Sequence, residues 1–161
     1  MGRMDFKPYQ LKLSEVIDRV VSLFSATSQE KKINISTNID QNFYIFADYN
    51  MIHTVLRNLI SNAIKFTRED GLICISAQET NKNLLEIHIS DNGIGMDEED
   101  LQKIFRIDTK FSNLGTANEK GTGLGLILCR ELIEKNGGTI SVESKKDVGT
   151  TFRFTLPKFV S

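Results

Sequence analysis

The sequence predicts an α/β sandwich, one mixed sheet with its helices on one face. Three observations predict it. Apolar residues spaced by three and four mark three long helical stretches. Apolar residues that alternate with polar ones mark the strands between them. The stretch Asp91 to Lys120 fits neither pattern: it is long and punctuated by glycine and charge, as functional or disordered loops are.

The lead-in Met1 to Leu13 has no clear period, and Pro8 argues against a helix through it. Ser14 reads as an N-cap for a helix whose stripe is Val16, Ile17, Val20, Val21, Leu23 and Phe24, running to about Lys32. Ile33, Ile35, Thr37 and Ile39 alternate as a half-buried strand, and Tyr44 to Ala47 follows a turn at Asp40–Asn42. Asp48 caps the second helix, whose core face is Ile52, Val55, Leu56, Leu59, Ile60, Ala63 and Ile64, and which ends near Thr67. After a turn at Glu69-Asp70-Gly71, the runs Leu72 to Thr80 and Leu84 to Ser90 read as a hairpin across Asn81-Lys82-Asn83. Within the long loop only Glu98 to Phe105 is helical; Gly121 to Lys135 then forms the third helix, closed by Gly137-Gly138. Thr139 to Ser144 and Thr151 to Leu156 make a second hairpin around Asp147–Gly149.

With 161 residues the chain has the length of one domain, large enough to bury a core without disulfides or metals. The net charge of −1, with Lys and Arg spread along the chain, excludes the basic stripe of a nucleic-acid binder. Cys74 and Cys129 are far apart among apolar neighbours, as buried reduced thiols are. His53 and His88 are isolated, and no Cys/His cluster suggests zinc. No apolar run is long enough to span a membrane.

Three motifs could carry chemistry. Asn58, Asn62 and Lys65 fall at i, i+4 and i+7 on the second helix, at the margin of its apolar face. An amide oxygen can complete a Mg²⁺ shell made otherwise of phosphate oxygens and water, and a lysine supplies a point charge for a phosphate. Asp91-Asn92-Gly93-Ile94-Gly95-Met96 follows a strand; its glycines permit a tight turn, and its carboxylate can accept from an exocyclic amine such as adenine's. Gly121-Thr122-Gly123-Leu124-Gly125-Leu126 opens a helix, where backbone N–H groups gather an anion. Neither the GxGxxG of a dinucleotide fold nor a Walker P-loop is present. Taken singly, the first two motifs also have ordinary readings: capping or surface asparagines with a solvated lysine, and an Asp-Asn-Gly turn.

Their order and spacing together resemble the histidine-kinase catalytic domains of the Bergerat-fold ATPase superfamily. Asn58 to Thr67 resembles the N box, Asp91 to Met96 the G1 box, Phe105 with Phe111 the F box, Gly121 to Leu126 the G2 box, and Gly149 to Pro157 the closing G3 strand. The resemblance runs from about residue 10 to the end, with residues 1–10 as a linker and 11–161 as the domain. It implies a mixed, mostly antiparallel sheet with about three helices on one face and an ATP lid over Met96 to Lys120. It implies ATP and Mg²⁺ as ligands: Asp91 on the adenine amine beside Gly93 and Gly95, Asn62 on the metal, and Asn58 and Lys65 along the phosphates. Phe105, Gly121, Thr122, Gly123, Leu124, Gly125 and Thr151 complete the nucleotide set. Arg106, Lys110 and Lys120 are candidate lid cations for the γ-phosphate.

Position 58 separates branches of that superfamily. The hydrolytic members place a glutamate there to activate water, and Asn58 cannot act as a base. The resemblance therefore implies transfer to an imidazole on a dimeric helical domain, with a response-regulator receiver domain as the next partner. Neither His53 nor His88 sits in an acceptor pattern, and Met1 to Phe6 resembles the exit from such a dimerisation domain. The expectation is a cytoplasmic, monomeric piece of a homodimeric parent, whose membrane anchoring the residues leave open. Two other readings remain: a Bergerat-fold protein-serine kinase of the anti-sigma-factor type, and a pseudokinase interaction module.

Overall fold

The computed structural model describes residues 5–80, 83–104 and 125–159. Its elements are β1 Pro8–Lys12, α1 Leu13–Leu23, α2 Ser25–Glu30, β2 Asn34–Asn38, β3 Tyr44–Asp48, α3 Tyr49–Phe66, β4 Leu72–Glu79, β5 Leu84–Asp91, α4 Glu98–Lys103, α5 Gly125–Lys135, β6 Ile140–Lys145 and β7 Gly149–Pro157. Five strands form the main sheet in the order β2-β4-β5-β7-β6, and β1 pairs with β3 in a separate ribbon. Among the described residues only β2 and β4 run parallel; every other strand pair is antiparallel.

Alternation fixes the two faces of the sheet. Ile73, Ile75, Leu85, Ile87, Ile89, Phe152, Phe154 and Leu156 are all buried, while the residues between them are half-buried or exposed. The buried face meets α3 and α5, and α1 packs against α3 and β1 to extend the same core. Each such side chain, fully buried, contributes about 1.5–3 kcal/mol. The opposite face is polar: His88 Nε2 lies 2.7 Å from Glu86 Oε1, and Arg153 pairs with Glu143.

Four local features depart from the sequence reading. Pro8–Lys12 is a strand paired with β3, where the sequence shows no clear period; Pro8 is tolerated because it begins the strand. Ser14 is not the cap. Lys12 holds that position with no side-chain bond, and Ser14 is buried in the first turn, its hydroxyl 3.4 Å from Gln41 Oε1. The first helix breaks at Phe24, giving α1 and α2, where Ser22 and Ser25 hydroxyls bond to the carbonyls of Asp18 (2.9 Å) and Ser22 (3.0 Å). Serines that bond locally offer the backbone an alternative to a straight helix. Cys74 is only half-buried and accepts from the Ser36 hydroxyl at 3.4 Å. Cys129 is buried as expected, and burial pushes its thiol up to about 12, so it is inert at neutral pH.

The Asp48 cap is present. Its carboxylate accepts from Met51 N at 3.0 Å and from Lys7 N at 2.8 Å, and its own N–H donates to Asn136 Oδ1 at 2.8 Å. One residue thus ties the start of α3 to β1 and to the end of α5. Asp48→Ala is expected to lower unfolding free energy by about 1–2 kcal/mol, read from urea denaturation. A loss below the scatter of that measurement would show the cap to be energetically idle.

Candidate functional site

Helix α3 carries the first motif because its apolar stripe turns inward and leaves one margin half-buried. Asn58 and Asn62 occupy that margin, and Lys65 is buried at its end, 8% exposed. The Asn58 amide N–H donates back to Thr54 O at 2.9 Å, so Oδ1 is directed outward. It points at the start of α5: a Cβ placed on Gly125 would lie 2.9 Å from Asn58 Oδ1. The Lys65 ammonium sits 4.8 Å from the centre of the Phe66 ring, an apolar stem ending in a cation over a π face.

The second motif is seated on the C-terminal end of the same helix. Ile94 N donates to Phe66 O at 3.0 Å. Asn92 Oδ1 accepts from Leu72 N at 2.8 Å, Met96 N donates to Ser144 Oγ at 2.8 Å, and Asp147 N donates to Ile94 O at 2.7 Å. The turn is therefore pinned to α3, β4, β6 and the β6–β7 turn. Gly93 is required by approach: a Cβ there would stand 2.1 Å from Phe66 O. Gly95 is required by conformation, with φ +66° in the left-handed region.

Asp91 ends β5 on the helix-facing side of the sheet, in phase with Ile87 and Ile89. Burial raises its carboxyl from 3.8 to about 6, against the pull of hydrogen bonds from the Gly93 and Thr150 backbones. Gly93 N lies 2.9 Å from Oδ1. A carboxylate held at such a cost, with little protein cation to offset it, is a mark of a functional site.

The third element of the site is only partly described. Gly125 is in place beside Asn58, whereas Phe105, Lys110, Gly121, Thr122, Gly123 and Leu124, with Arg106, Phe111 and Lys120, lie outside the described residues. The structure puts Thr151 on the opposite face of the sheet from Asp91: its hydroxyl is on the polar face, 2.5 Å from Ser90 Oγ. Its neighbour Thr150 is the residue on the Asp91 side. Thr150 is buried, pairs with Asp91 across β5–β7, and its hydroxyl lies 2.7 Å from Ser144 Oγ. The signal was in the sequence, since Phe152, Phe154 and Leu156 put Thr150 in phase with the apolar face.

Residues 47–159 match the family described as histidine kinase-, DNA gyrase B-, and HSP90-like ATPases. The solved catalytic domain of histidine kinase ThkA superposes with a TM-score of 0.80 at 32% identity, covering 96% of this chain and 97% of that one. The chain belongs to the histidine-kinase catalytic domains of this ATPase family.

Full-length relatives agree. The sensor histidine kinase WalK of Bacillus subtilis is 31% identical over 98% of this chain, and the adaptive-response sensory kinase SasA of Synechocystis is 33% identical over 92%. This kinase domain spans 27% of WalK and 39% of SasA. A further structure shows ThkA in complex with the response regulator protein TrrA, at 29% identity and a TM-score of 0.77, with this chain covering 42% of ThkA there. The polar motifs on α3 and at the end of β5, with Gly125 at the start of α5, lie within the span that matches the ATPase family.

Proposed function

We propose that this domain binds Mg·ATP between α3, the Asp91–Met96 turn and the start of α5, and passes the γ-phosphate to a histidine on a separate dimerisation domain. The observation that carries the reading is the convergence of the motifs on α3: Ile94 N bonds Phe66 O at 3.0 Å, and Gly125 abuts Asn58 Oδ1. Residues far apart in sequence thereby border one margin of one helix.

The donor set fits a nucleotide-held metal. Among the described residues no group of three His, Cys, Asp or Glu side chains could hold an ion. A cation here would draw most of its shell from phosphate oxygens and water, with the Asn62 amide as the protein's neutral ligand. Bound there, Mg²⁺ supplies charge neutralisation on the phosphates. Asp91 accepts from the adenine amine, with Thr150 beside it, and Lys65 and Asn58 flank the phosphate path. Asn58 offers no base for water, so hydrolysis is slow and an external imidazole is the acceptor.

That imidazole lies elsewhere. His53 lies against Tyr49 with ring centres 5.6 Å apart and planes tilted by 41°, about 18 Å along α3 from Lys65, and His88 is on the polar face of the sheet beside Glu86. The partners that follow are a helical phosphoacceptor domain in a homodimeric parent and the receiver domain of a response regulator, in the cytoplasm. The ThkA–TrrA complex supports the last partner by analogy.

The experiment is a titration with a non-hydrolysable ATP analogue, with and without Mg²⁺, alongside a steady-state hydrolysis assay. Metal-enhanced binding and negligible turnover are expected. Asn62→Ala is expected to remove most of the enhancement by Mg²⁺ while leaving adenosine affinity unchanged. Sustained hydrolysis would defeat the reading of Asn58, and binding indifferent to Mg²⁺ would defeat that of Asn62.

A further inference from the structure

The end of α3 that seats the Asp91–Met96 turn is itself gripped from behind. α2 closes in a left-handed turn: Lys32 has φ +58°, Lys32 N bonds Gln29 O at 3.1 Å, and Ile33 N bonds Ser28 O at 2.8 Å. This is a C-terminal motif usually built on glycine, here held by a lysine and anchored by the buried Ile33. The turn aims Lys31 at the C-terminus of α3, more than thirty residues ahead in sequence. Its ammonium bonds Ile64 O at 2.8 Å and Lys65 O at 3.1 Å. Two more links join the same segments: Asn34 N to Gly71 O at 3.0 Å, and the exposed pair Lys32–Glu69 at 3.3 Å.

We infer that Lys31 is a positioning residue for the nucleotide site, a clasp that fixes the last turn of α3 so that the Lys65 side chain and the Phe66 carbonyl meet their partners. The inference rests on the proposed nucleotide site and goes beyond it, because Lys31 belongs to no nucleotide motif. The physics is that of a cation on a helix C-terminus. The last carbonyls of a helix lack partners within it, and the macrodipole leaves negative charge there. A lysine satisfies both needs with one mobile group, and a neutral side chain of equal length satisfies neither. Phe66 O, one residue beyond the clasp, is the acceptor that seats Ile94. A frayed last turn would therefore release the Asp91 turn and Lys65 together, although Lys31 touches neither ligand nor metal.

The test compares Lys31→Met, Lys31→Arg and the control Val20→Ala, a buried core truncation on α1, outside both α2 and α3, that lowers melting temperature. Two readouts are taken: affinity for the ATP analogue with Mg²⁺, and amide exchange at Ile94 in the free protein. Lys31→Met is expected to weaken the analogue by about tenfold and to speed Ile94 exchange beyond the global change. Lys31→Arg restores both, and Val20→Ala leaves affinity at the wild-type value. Unchanged Ile94 exchange and affinity in Lys31→Met overturns the inference, as does an equal loss of affinity in Val20→Ala. If the wild type binds no nucleotide, the proposed function fails, and Ile94 exchange alone still decides whether Lys31 clasps the turn.

Discussion

Asp91→Asn is expected to abolish nucleotide binding and, at pH 7, to make the free protein more stable. The Asp91 carboxyl sits at about 6 in the folded chain against an ordinary 3.8, because burial penalises its charge. Below pH 3.8 the group is neutral in both states and costs nothing. Between 3.8 and about 6 the folded state holds a proton that the unfolded state has released, so stability falls as pH rises through that window. Above 6 the full cost persists, about 3 kcal/mol at most for a shift of this size. A neutral amide removes it, and a domain of this length gains about 2–4 °C in melting temperature per kcal/mol.

Binding moves the other way. In Asp91→Asn the amide oxygen is claimed by the Gly93 N–H that Oδ1 accepts at 2.9 Å in the wild type, and the NH₂ is left facing the adenine amine, donor against donor. For the same reason, wild-type affinity is expected to weaken as pH drops below about 6 and the carboxyl takes up its proton. Melting curves at pH 5 and 7, paired with analogue titrations at both, check each sign. Retained affinity in the asparagine variant would remove Asp91 from the adenine position.

The second large effect belongs to Gly93→Ala. The added methyl would stand 2.1 Å from Phe66 O and 2.8 Å from its carbonyl carbon, both backbone atoms that cannot swing aside. The turn must lift from α3 and give up the 3.0 Å bond from Ile94 N to Phe66 O. The expected outcome is a loss of about 1–3 kcal/mol in urea unfolding, with analogue affinity down by more than tenfold. Wild-type binding by a destabilised Gly93→Ala protein would mean the seating of this turn does not shape the site.

The two variants show how unequally the site was legible. The α3 motif could be read directly, because helical spacing places Asn58, Asn62 and Lys65 on one margin, whatever packs against it. Asp91 could be read as well, from its place at the end of an alternating strand. Strand parity puts Thr151 on the face of the sheet opposite Asp91 and Thr150 on the same face, since a step of one residue exchanges the faces. β1 could not be read, since a five-residue strand beginning with proline has meaning only once β3 supplies its partner. Nor could the break at Phe24, which depends on which carbonyls the serine hydroxyls choose.

The sequence by itself determined the family, the order of its polar and glycine motifs, and the absence of a carboxylate at position 58, because these depend on residue identity and spacing along the chain. Tertiary structure alone decided that Gly93 and Gly125 are close-contact positions and that Lys31 holds α3 from behind. Those facts concern atoms separated by tens of residues, and their proximity exists only after the core has closed. Local periodicity carries no record of which distant carbonyl a side chain will find.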